Sequence, residues 1–473
     1  IVVDSLTILG TSRGLSLSHD NGENWNNYYN QAPFSDDGST AIGFNDGIIW
    51  VTTGQTVQIE DSYLPEGTGI KYSTDLGETW VSIPQPVDDP GDSLIVYGVN
   101  TLRALPVTTR INNITYDIAF TKNTIWIASF AGGLRKSTDM GETWERVILP
   151  PDNLDSISPT DTLDFSLQPV AGAFGDESWL NHRVFSVVGV DDSTLYVGTA
   201  GGINKSTDNG VSWKKFTHKN QTNSISGNFV VGLGHNKADN SIWAATWKAE
   251  DLDEYWGVSY SFDEGNNWSV ALSNEHAHNF GFKYLDDSNS DIFVPTDKGI
   301  FRSSNNGSTW SQPSLIKDSY TNLPIATNIY YCVTSNKLNS NEYNILIGSN
   351  SGLAKLNETS DSWEGDWKVY IASSELKENE TYAFPNPFSP AQEFVKIKYD
   401  LLSDAKVTIR IMNFNMELVR VLLQNVQRGT GEILEFWDGK NELGEIVING
   451  VYFYSIDSDA LSKPLFGKIM VLK

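Results

Sequence analysis

The sequence has little cysteine, few basic residues relative to acidic ones, and no long apolar run. Its single cysteine, Cys332, excludes an intrachain disulfide, and the neighbouring Ile, Tyr and Val residues predict a buried strand with an inert thiol. With 33 Lys and Arg against 59 Asp and Glu, the formal charge is -26. Such a surface repels the phosphates of nucleic acids and anionic lipids, so neither is an expected partner. No apolar run approaches the ~18 residues of a transmembrane helix, and no membrane span is expected.

The remaining composition favours an all-β protein with more than one domain. A chain of 473 residues exceeds the usual size of a single domain. Its 39 Gly, 15 Trp and 19 Tyr are distributed among short Val, Ile and Thr runs. This mixture is typical of many short strands joined by tight turns.

One phrase, Ser-x-Asp-x-Gly-x-Thr-Trp, recurs along the chain in six clear copies, and a degenerate seventh copy ends at Trp363. The acidic (or, once, amide) and Trp positions of the six copies are Asp20 and Trp25, Asp75 and Trp80, Asp139 and Trp144, Asp208 and Trp213, Asp263 and Trp268, and Asn305 and Trp310. Before each copy come an apolar strand, a Gly-rich turn and a second strand, so each unit is predicted to contain four short strands. The distance between successive Trp residues varies from 42 to 69 residues, which suits propeller blades with variable insertions and excludes a rigid solenoid.

The repeated residue types have a structural purpose in a tight turn. The Asp carboxylate can accept backbone N–H groups, the Gly supplies a positive φ, and the Trp can bury its ring between adjacent blades. Because every unit carries the pattern, it indicates architecture rather than one catalytic or calcium site. The pattern resembles the Asp-box, or bacterial neuraminidase repeat, propellers, which include sialidases, xyloglucan-cleaving glycosidases, sortilin receptors and a photosystem assembly factor.

The resemblance covers about residues 1–372 and implies a seven-bladed β-propeller over residues 1–374. In that group the box lies on the turn between the third and fourth strands of a blade, and ligands usually bind on the opposite face. The long insertions of this chain fall in the segments that the resemblance assigns to that opposite face. We therefore expect any ligand there, and we call these segments the variable face.

Two insertions of the variable face supply candidate ligand residues, because each combines Trp with carboxylates. The candidates are Trp247, Glu250, Asp251, Asp253 and Trp256 in one insertion, and Asp176, Glu177 and Trp179 in the other. Aromatic planes beside acids suit sugar stacking or a cationic partner. The alternative is that the insertions simply pack over the ring of blades and are solvated by their charges.

The sequence contains no recognised catalytic constellation, and no cofactor or metal is expected. His276 and His278 could present two imidazoles to a metal, but no third ligand is apparent. The first blade offers only Arg13 before Arg103, whereas the sialidases that the chain resembles use three arginines, and the xyloglucan-cleaving enzymes place their cleft between two propellers. A glycosidase needs two carboxylates, one on each side of the scissile bond. Two of the acidic residues in the candidate insertions could serve in this way, so an extracellular glycoside hydrolase is the enzyme alternative.

A short polar linker is predicted at residues 375–381, and residues 382–473 carry no further boxes. Alternating strands with turn signals predict a small antiparallel β-sandwich there. Three strings, Pro-Asn-Pro-Phe-Ser-Pro ending at Pro390, Trp-Asp-Gly-Lys-Asn-Glu-Leu-Gly from Trp437, and Asn-Gly-Val-Tyr-Phe-Tyr ending at Tyr454, resemble the immunoglobulin-like domain of flagellar hook-capping proteins and type IX secretion sorting domains. The resemblance implies contact with an export machinery and a secreted or cell-surface location in a Bacteroidetes-like bacterium. The alternative is a plain sandwich added for stability or assembly.

Three functions are consistent with this organisation. The sequence favours a non-catalytic surface propeller that binds a surface polymer, a glycan, a protein or copies of itself through the variable face. A polysaccharide hydrolase predicts a groove with two opposed carboxylates about 5 to 9 Å apart. A subunit of an extracellular filament or lattice predicts that the sandwich packs against a neighbouring propeller.

Overall fold

Antiparallel strands form nearly all the regular structure of this computed structural model, which describes residues 1–172, 174–320, 323–339, 342–359, 362–371, 376, 380–390 and 393–473. Within those ranges the helical structure is a single 3-10 turn, Leu180–His182. None of the described residues belongs to a helix long and apolar enough to cross a membrane. The all-β prediction is confirmed.

The chain divides into two compact units. The first unit contains Ile1–Pro313, Asn328–Gly348 and Lys355–Gly365, and the second contains Ser314–Thr327, Ser349–Ala354 and Asp366–Lys473. The domains expected from the sequence, residues 1–374 and 382–473, stay predictions. Of the predicted linker, residues 375 and 377–379 lie outside the described residues.

Seven sheets follow one another along residues 2–370 of the described chain, and each is an antiparallel meander of three or four successive strands. The first two sheets consist of β1 (Val2–Val3), β2 (Leu6–Thr11), β3 (Gly14–Ser18), β4 (Asn26–Asn27), and β5 (Gly38–Asn45), β6 (Ile48–Ile59), β7 (Ser62–Ser73), β8 (Val81–Ile83). An inserted hairpin, β9 (Leu94–Tyr97) and β10 (Asn100–Ala104), precedes the third sheet, β11 (Thr115–Thr121), β12 (Thr124–Ser129), β13 (Gly133–Ser137) and β14 (Glu145–Arg146).

The fourth sheet follows two further short strands, β15 (Ser156–Ile157) and β16 (Ser166–Leu167). It contains β17 (Val184–Gly189), β18 (Leu195–Thr199), β19 (Gly202–Ser206) and β20 (Trp213–Phe216), with β15 added at the β20 edge. The fifth to seventh sheets consist of β21 (Phe229–Asn236), β22 (Ser241–Trp247), β23 (Gly257–Ser261), β24 (Ser269–Ala271); β25 (Gly281–Tyr284), β26 (Ser290–Thr296), β27 (Gly299–Ser303); and β28 (Tyr330–Lys337), β29 (Tyr343–Ser349), β30 (Gly352–Glu358), β31 (Gly365–Tyr370).

Apolar layers join the first six sheets in chain order, and the second strand of each of these sheets contributes buried residues to them. Strand β18 illustrates this burial, since all five of its residues are buried between β17 and β19. The layers group Leu15 and Leu17 with Ile49 and Val51; Trp50 and Ile70 with Ile118 and Ile127; Trp126 and Leu134 with Val187 and Val197; Tyr196 and Phe216 with Val230 and Ile242; and Trp243 and Val258 with Ile292 and Val294. Sheets stacked in chain order in this way are the arrangement of propeller blades.

The first sheet also meets strand β28 of the last sheet. Asn336 Nδ2 donates a 2.8 Å hydrogen bond to the carbonyl oxygen of Asp4. Lys355 Nζ donates a 2.7 Å hydrogen bond to the carbonyl oxygen of Asn21. The first and last sheets of the series are therefore in contact within the first unit.

The prediction that Cys332 is buried is wrong, because its side chain is exposed. The apolar residues around it suggested a covered strand. Strand β28 is instead the first strand of its sheet and has a neighbouring strand on one side only. Its residues Tyr331 and Cys332 are exposed, whereas Val333 is buried.

The inserted strands between the second and fourth sheets form a small sheet of their own. Its order is β16-β10-β9, with β10 parallel to β16 and antiparallel to β9. Leu102 and Leu167 cover part of the apolar layer between the third and fourth sheets. Segments that looked like surface insertions in the sequence thus add both buried area and an exposed sheet edge.

Within the second unit, two antiparallel sheets share one apolar core. They are built from β32 (Tyr382–Phe384), β33 (Val395–Leu401), β34 (Ala405–Met412), β35 (Leu418–Arg428), β36 (Gly431–Trp437), β37 (Gly450–Ser458) and β38 (Leu465–Val471), in the orders β32-β33-β36 and β35-β34-β37-β38. Ile397 and Tyr399 of the first sheet share the core with Ile409, Tyr454 and Ile469 of the second. Alternate residues along β33, β34 and β37 enter this core, as the period-two pattern predicts.

Candidate functional site

The repeated phrase forms a hydrogen-bonded turn between the third and fourth strands of a sheet. In the fourth sheet, Ser206 Oγ donates to Asp208 Oδ1 at 2.8 Å and accepts the N–H of Gly210 at 2.8 Å. The same Asp208 oxygen accepts the N–H of Ser212 at 2.8 Å. Gly210 has a φ of 80°, and Asn209 before it has a φ of 57°, so two successive residues adopt the left-handed conformation. The carboxylate therefore closes a turn that most residues would strain.

These bonds also hold the box carboxylates in their charged form. Hydrogen bonds from the Oγ1 and N–H of Thr143 lower the pKa of Asp139 to about 2. Those from Thr79 lower the pKa of Asp75 to about 2 in the same way. The carboxylate oxygens of these Asp residues therefore face donors of their own turn.

The Trp of a box packs against the preceding sheet. Trp80 lies 4.9 Å from Phe34, Trp268 lies 5.9 Å from Phe216, and Trp310 lies 6.3 Å from Trp243, measured between ring centroids. All three pairs are edge-to-face, the geometry that aromatic quadrupoles favour. The described part of the seventh copy includes Trp363, but Ser360 and Asp361 lie outside the described residues.

The topology separates the box turns from the variable face. Successive strands of a sheet run in opposite directions, so the turn between the third and fourth strands lies at the end where the first strand finishes. The start of the first strand and the turn between the second and third strands lie at the other end. Residues at those two positions in different sheets therefore share one face.

Six rings form a continuous row on this face, which we call the aromatic belt: Tyr116, Phe185, Phe229, Trp247, His278 and Tyr331. Successive centroids are separated by 5.3 Å (Tyr116 to Phe185), 4.7 Å (Phe185 to Phe229), 5.9 Å (Phe229 to Trp247), 5.7 Å (Trp247 to His278) and 5.2 Å (His278 to Tyr331). The belt crosses from the third sheet to the seventh. Its two ends are the most open, since Tyr116 is 37% and Tyr331 is 47% exposed.

Asp297 fixes two imidazoles beside the belt. His276 Nδ1 lies 3.1 Å from Asp297 Oδ2, and His278 Nε2 lies 2.8 Å from Asp297 Oδ1. The ring of His276 also lies between two tryptophans, 5.2 Å from Trp247 and 4.4 Å from Trp256. Since a carboxylate only accepts, each facing imidazole nitrogen donates its proton to Asp297 and has no lone pair for a metal. In the described ranges no group of three or more His, Cys, Asp or Glu is arranged to hold a metal ion.

Trp247 and Trp256 both contact the ring of His276. The acidic residues of the same insertion have other neighbours. Asp251 lies 2.7 Å from Lys219 Nζ, and Asp253 lies 3.6 Å from His218. Glu250 is exposed. Asp251 and Asp253 thus lie beside Lys219 and His218 of a neighbouring loop.

The second candidate insertion supports its own sheet. Glu177 Oε2 accepts hydrogen bonds from the N–H and Oγ of Ser166, and Trp179 Nε1 donates to the carbonyl oxygen of Ser166 at 2.9 Å. Asp176 is exposed. Glu177 and Trp179 therefore fasten this loop to strand β16, and neither belongs to the belt.

Sequence reasoning missed most of the belt. Tyr116, Phe185 and Tyr331 each occupy the second position of the first strand in a sheet, and Phe229 occupies the first position. An aromatic residue at this register in four units was a signal that could have been found once the strands were aligned. Asp297 gave no local signal, because its partners precede it by 19 and 21 residues.

No family model matches the chain, and no curated protein matches it significantly. Among solved structures, PorZ, an essential surface component of the type IX secretion system of Porphyromonas gingivalis, is 14% identical with a TM-score of 0.43, over 98% of this chain and 63% of that one. YCF48 from Cyanidioschyzon merolae is 13% identical with a TM-score of 0.42, over 85% of this chain and 95% of that one.

An ancestral GH74 enzyme is 14% identical with a TM-score of 0.54, over 99% of this chain and 61% of that one. This chain therefore spans less than two thirds of the length of the PorZ and GH74 structures. At such low identity the likeness to the GH74 enzyme concerns the fold alone. Together with the succession of stacked antiparallel sheets, it identifies the chain as one that contains a β-propeller.

Proposed function

We propose that this chain is an exported, cell-surface, non-catalytic Asp-box propeller of seven blades that binds a glycan or a related surface polymer across the aromatic belt. The observation that carries the proposal is the unbroken row of six rings on the face opposite the box turns. A row of this kind offers an extended apolar surface with polar edges, which suits the faces of successive sugar rings.

The charges around the belt favour a neutral ligand over a cationic one. Asp297 is already bonded to His276 and His278, and Asp251 is paired with Lys219. A cation at the belt would have to displace one of these partners to gain a carboxylate. Polar hydroxyl groups need no such exchange, because they can donate to carboxylates that keep their partners.

The blade count rests on the seven successive sheets and on the contact that closes them. The hydrogen bonds from Asn336 to Asp4 and from Lys355 to Asn21 join the last sheet to the first. Closure covers the sheet faces that the first and last blades of an open row would otherwise expose.

Ligand binding is tested by titrating the full chain with soluble β-glucan, xyloglucan and galactomannan, using calorimetry. We expect Tyr331→Ala and Tyr116→Ala to weaken binding at least tenfold each, which corresponds to about 1.4 kcal/mol. The matched control is Phe262→Ala, because Phe262 is 49% exposed but lies in a box turn at the opposite end. Binding that Phe262→Ala weakens as much as the belt variants contradicts the proposal, and so does the absence of binding to every polysaccharide. Release of reducing ends would replace the binding role with hydrolysis.

Export is proposed from the motifs of residues 382–473, which the fold brings together. Phe388 of the first motif lies 5.7 Å from Trp437 of the second, and Trp437 lies 5.5 Å from Tyr452 of the third. Asn386 Nδ2 donates to the carbonyl oxygen of Lys468, and Asn386 Oδ1 accepts the N–H of Met470, both at 2.8 Å. These contacts support an immunoglobulin-like sorting domain in which the motifs and the last strand form one structural element.

The export proposal is tested with a reporter that carries a signal peptide and residues 382–473 at its C-terminus. In a bacterium with type IX secretion we expect the reporter outside the cell. In the same strain without the secretion system we expect it in the periplasm. An identical location in both strains would show that the domain carries no export signal.

A further inference from the structure

The inserted sheet ends in an open strand, β9. The sheet order β16-β10-β9 gives this strand one neighbour, and the registers join its residues to β10 alone in the described chain. Leu94 is 61% exposed and Val96 is 75% exposed, whereas Ile95 and Tyr97 contribute to the apolar layer beneath. Strand β9 is therefore covered on one face and open along its outer edge.

The backbone register places the unpaired N–H and C=O groups of β9 on its two exposed residues, Leu94 and Val96. A two-residue turn joins the strands, and Tyr97 pairs with Asn100 beside it. In such a hairpin the closing pair exchanges hydrogen bonds, and bonded pairs then alternate with open ones. The bond from the Ala104 N–H to the Ser93 carbonyl, 2.9 Å long, has this register. The N–H and C=O groups of Leu94 and Val96 consequently point outward.

Strand β9 is short, but it carries no charge, proline or bulge of the kind that commonly protects an edge strand. Residues 93–99 contain no charged residue and no proline. The strand has no irregularity in its pairing with β10. Natural proteins ordinarily blunt an exposed edge with a charge, a proline or a bulge, because an open apolar edge pairs with other strands. An apolar edge without a charge, proline or bulge leaves its outward backbone groups free to pair with another strand.

Carboxylates lie at both ends of this edge. Asp89 and Asp92 precede the strand and are joined by a 3.1 Å hydrogen bond from the Asp89 N–H to Asp92 Oδ2. At the other end, Asn100 Nδ2 donates to the carbonyl oxygen of Asp161 at 2.8 Å. Burial raises the pKa of the Tyr97 phenol, and the charges of Asp208 and Asp161 raise it further. The edge is thus apolar at its centre and negative at both ends.

We propose that β9 binds an extended segment of a partner protein whose alternate side chains are apolar and whose flanks are basic. The segment adds a strand to the sheet through the open groups of Leu94 and Val96, and its basic flanks meet the carboxylates of Asp89, Asp92 and Asp161. A second copy of this chain fits poorly, since it brings the same carboxylates and a charge of -26. This surface is additional to the aromatic belt and uses main-chain recognition in place of stacking.

The test measures binding of the full chain to a labelled synthetic peptide, Lys-Lys-Val-Thr-Val-Thr-Val-Lys-Lys, by fluorescence anisotropy. We expect Val96→Pro to weaken binding at least tenfold, because proline removes an outward N–H that β10 does not use. The matched control is Val96→Thr, which keeps the N–H and a β-branched side chain, and we expect a change below twofold. Circular dichroism establishes that both variants are folded.

A second arm leaves the protein unchanged. The same peptide with N-methyl groups on alternate residues retains its side chains and charges but loses one edge of hydrogen bonds, so we expect at least a tenfold loss of binding. Equal binding of the methylated and unmodified peptides overturns the proposal, as does equal binding by Val96→Pro and the parent. Self-association in sedimentation equilibrium that Val96→Pro abolishes also overturns it, because the occupant would then be a second copy.

Discussion

At the scale of single residues, the box turns show how a short polar phrase fixes a backbone that is otherwise unfavourable. Leu76 and Met140 occupy the position before the box Gly with φ values of 57° and 62°, although neither residue type favours the left-handed region. The Ser and Asp bonds around them hold this conformation. The sixth copy carries Asn305, whose Oδ1 accepts the Thr309 N–H at 2.8 Å while its Nδ2 donates to Thr309 Oγ1. An amide therefore satisfies the same turn as a carboxylate.

This comparison predicts a ranking of substitutions at Asp208. We expect Asp208→Ala to lower the free energy of unfolding by about 1 to 2 kcal/mol, because the N–H groups of Val211 and Ser212 lose their acceptor. Asp208→Asn should cost less than half as much, as the sixth copy implies. Urea unfolding followed by tryptophan fluorescence measures both. An Asn variant as unstable as the Ala variant would show that charge, and not acceptor geometry, holds the turn.

At the scale of elements, the sequence was most informative where a local pattern repeats. The box phrase and the strand, Gly-rich turn and strand before it predicted the β18 and β19 hairpin of the fourth sheet and its counterparts in the other sheets. The period-two pattern predicted the strands of the second unit. Both succeed because neighbouring residues decide the outcome through turn conformation and side-chain alternation.

Elements made by distant residues could not be predicted in this way. Strand β10 pairs with β16, more than 60 residues later, and the strings that form them looked like loop insertions. Arg302 is buried with Asp291 and Glu358, at 2.5 Å from an oxygen of each, and Glu358 comes 56 residues after it. The candidate site shows the same division. Trp247, Trp256 and His278 stood out in the sequence, whereas the belt residues Tyr116, Phe185, Phe229 and Tyr331 come together only through the register between sheets.

At the scale of the whole molecule, net charge and one enclosed carboxyl act on stability in the same direction. The formal charge of -26 opposes compactness increasingly as carboxyl groups ionise. Asp117 on β11 accepts the N–H of Val187 on β17 and that of Ile118, both at 2.9 Å. Burial nevertheless outweighs these bonds and raises the pKa of Asp117 to about 7.

The raised pKa predicts a pH dependence with a definite sign. Between the unfolded pKa of about 4 and the folded value, the folded chain binds the extra proton, so the contribution of Asp117 to stability is greatest at the acidic end and falls as pH rises to about 8. Burial lowers the pKa of His182 to about 3, so His182 acts in the opposite sense up to its unfolded pKa of about 6.5. The loss from Asp117 amounts to at most about 4 kcal/mol. The box carboxylates, whose pKa is lowered, act in the opposite sense and mainly below pH ~4.

The measurement is urea unfolding from pH 5 to pH 8 at low and high salt. Salt should reduce the part of the slope that surface charge causes, whereas the part from Asp117 should persist. Asp117→Asn should remove the persistent part whatever its absolute stability. Equal slopes at high salt in the parent chain and in Asp117→Asn would contradict the role of Asp117.

The contact between the first and last sheets can form only after nearly the whole propeller has been synthesised. Asp4 and Asn336 are separated by 332 positions, and ribosomes add about 5 to 20 residues per second. For tens of seconds after the first sheet emerges, the strand that will cover β1 does not yet exist. During that interval the part of the first sheet that contacts the last sheet stays uncovered, and the risk of association with other chains falls only when the last sheet has been made.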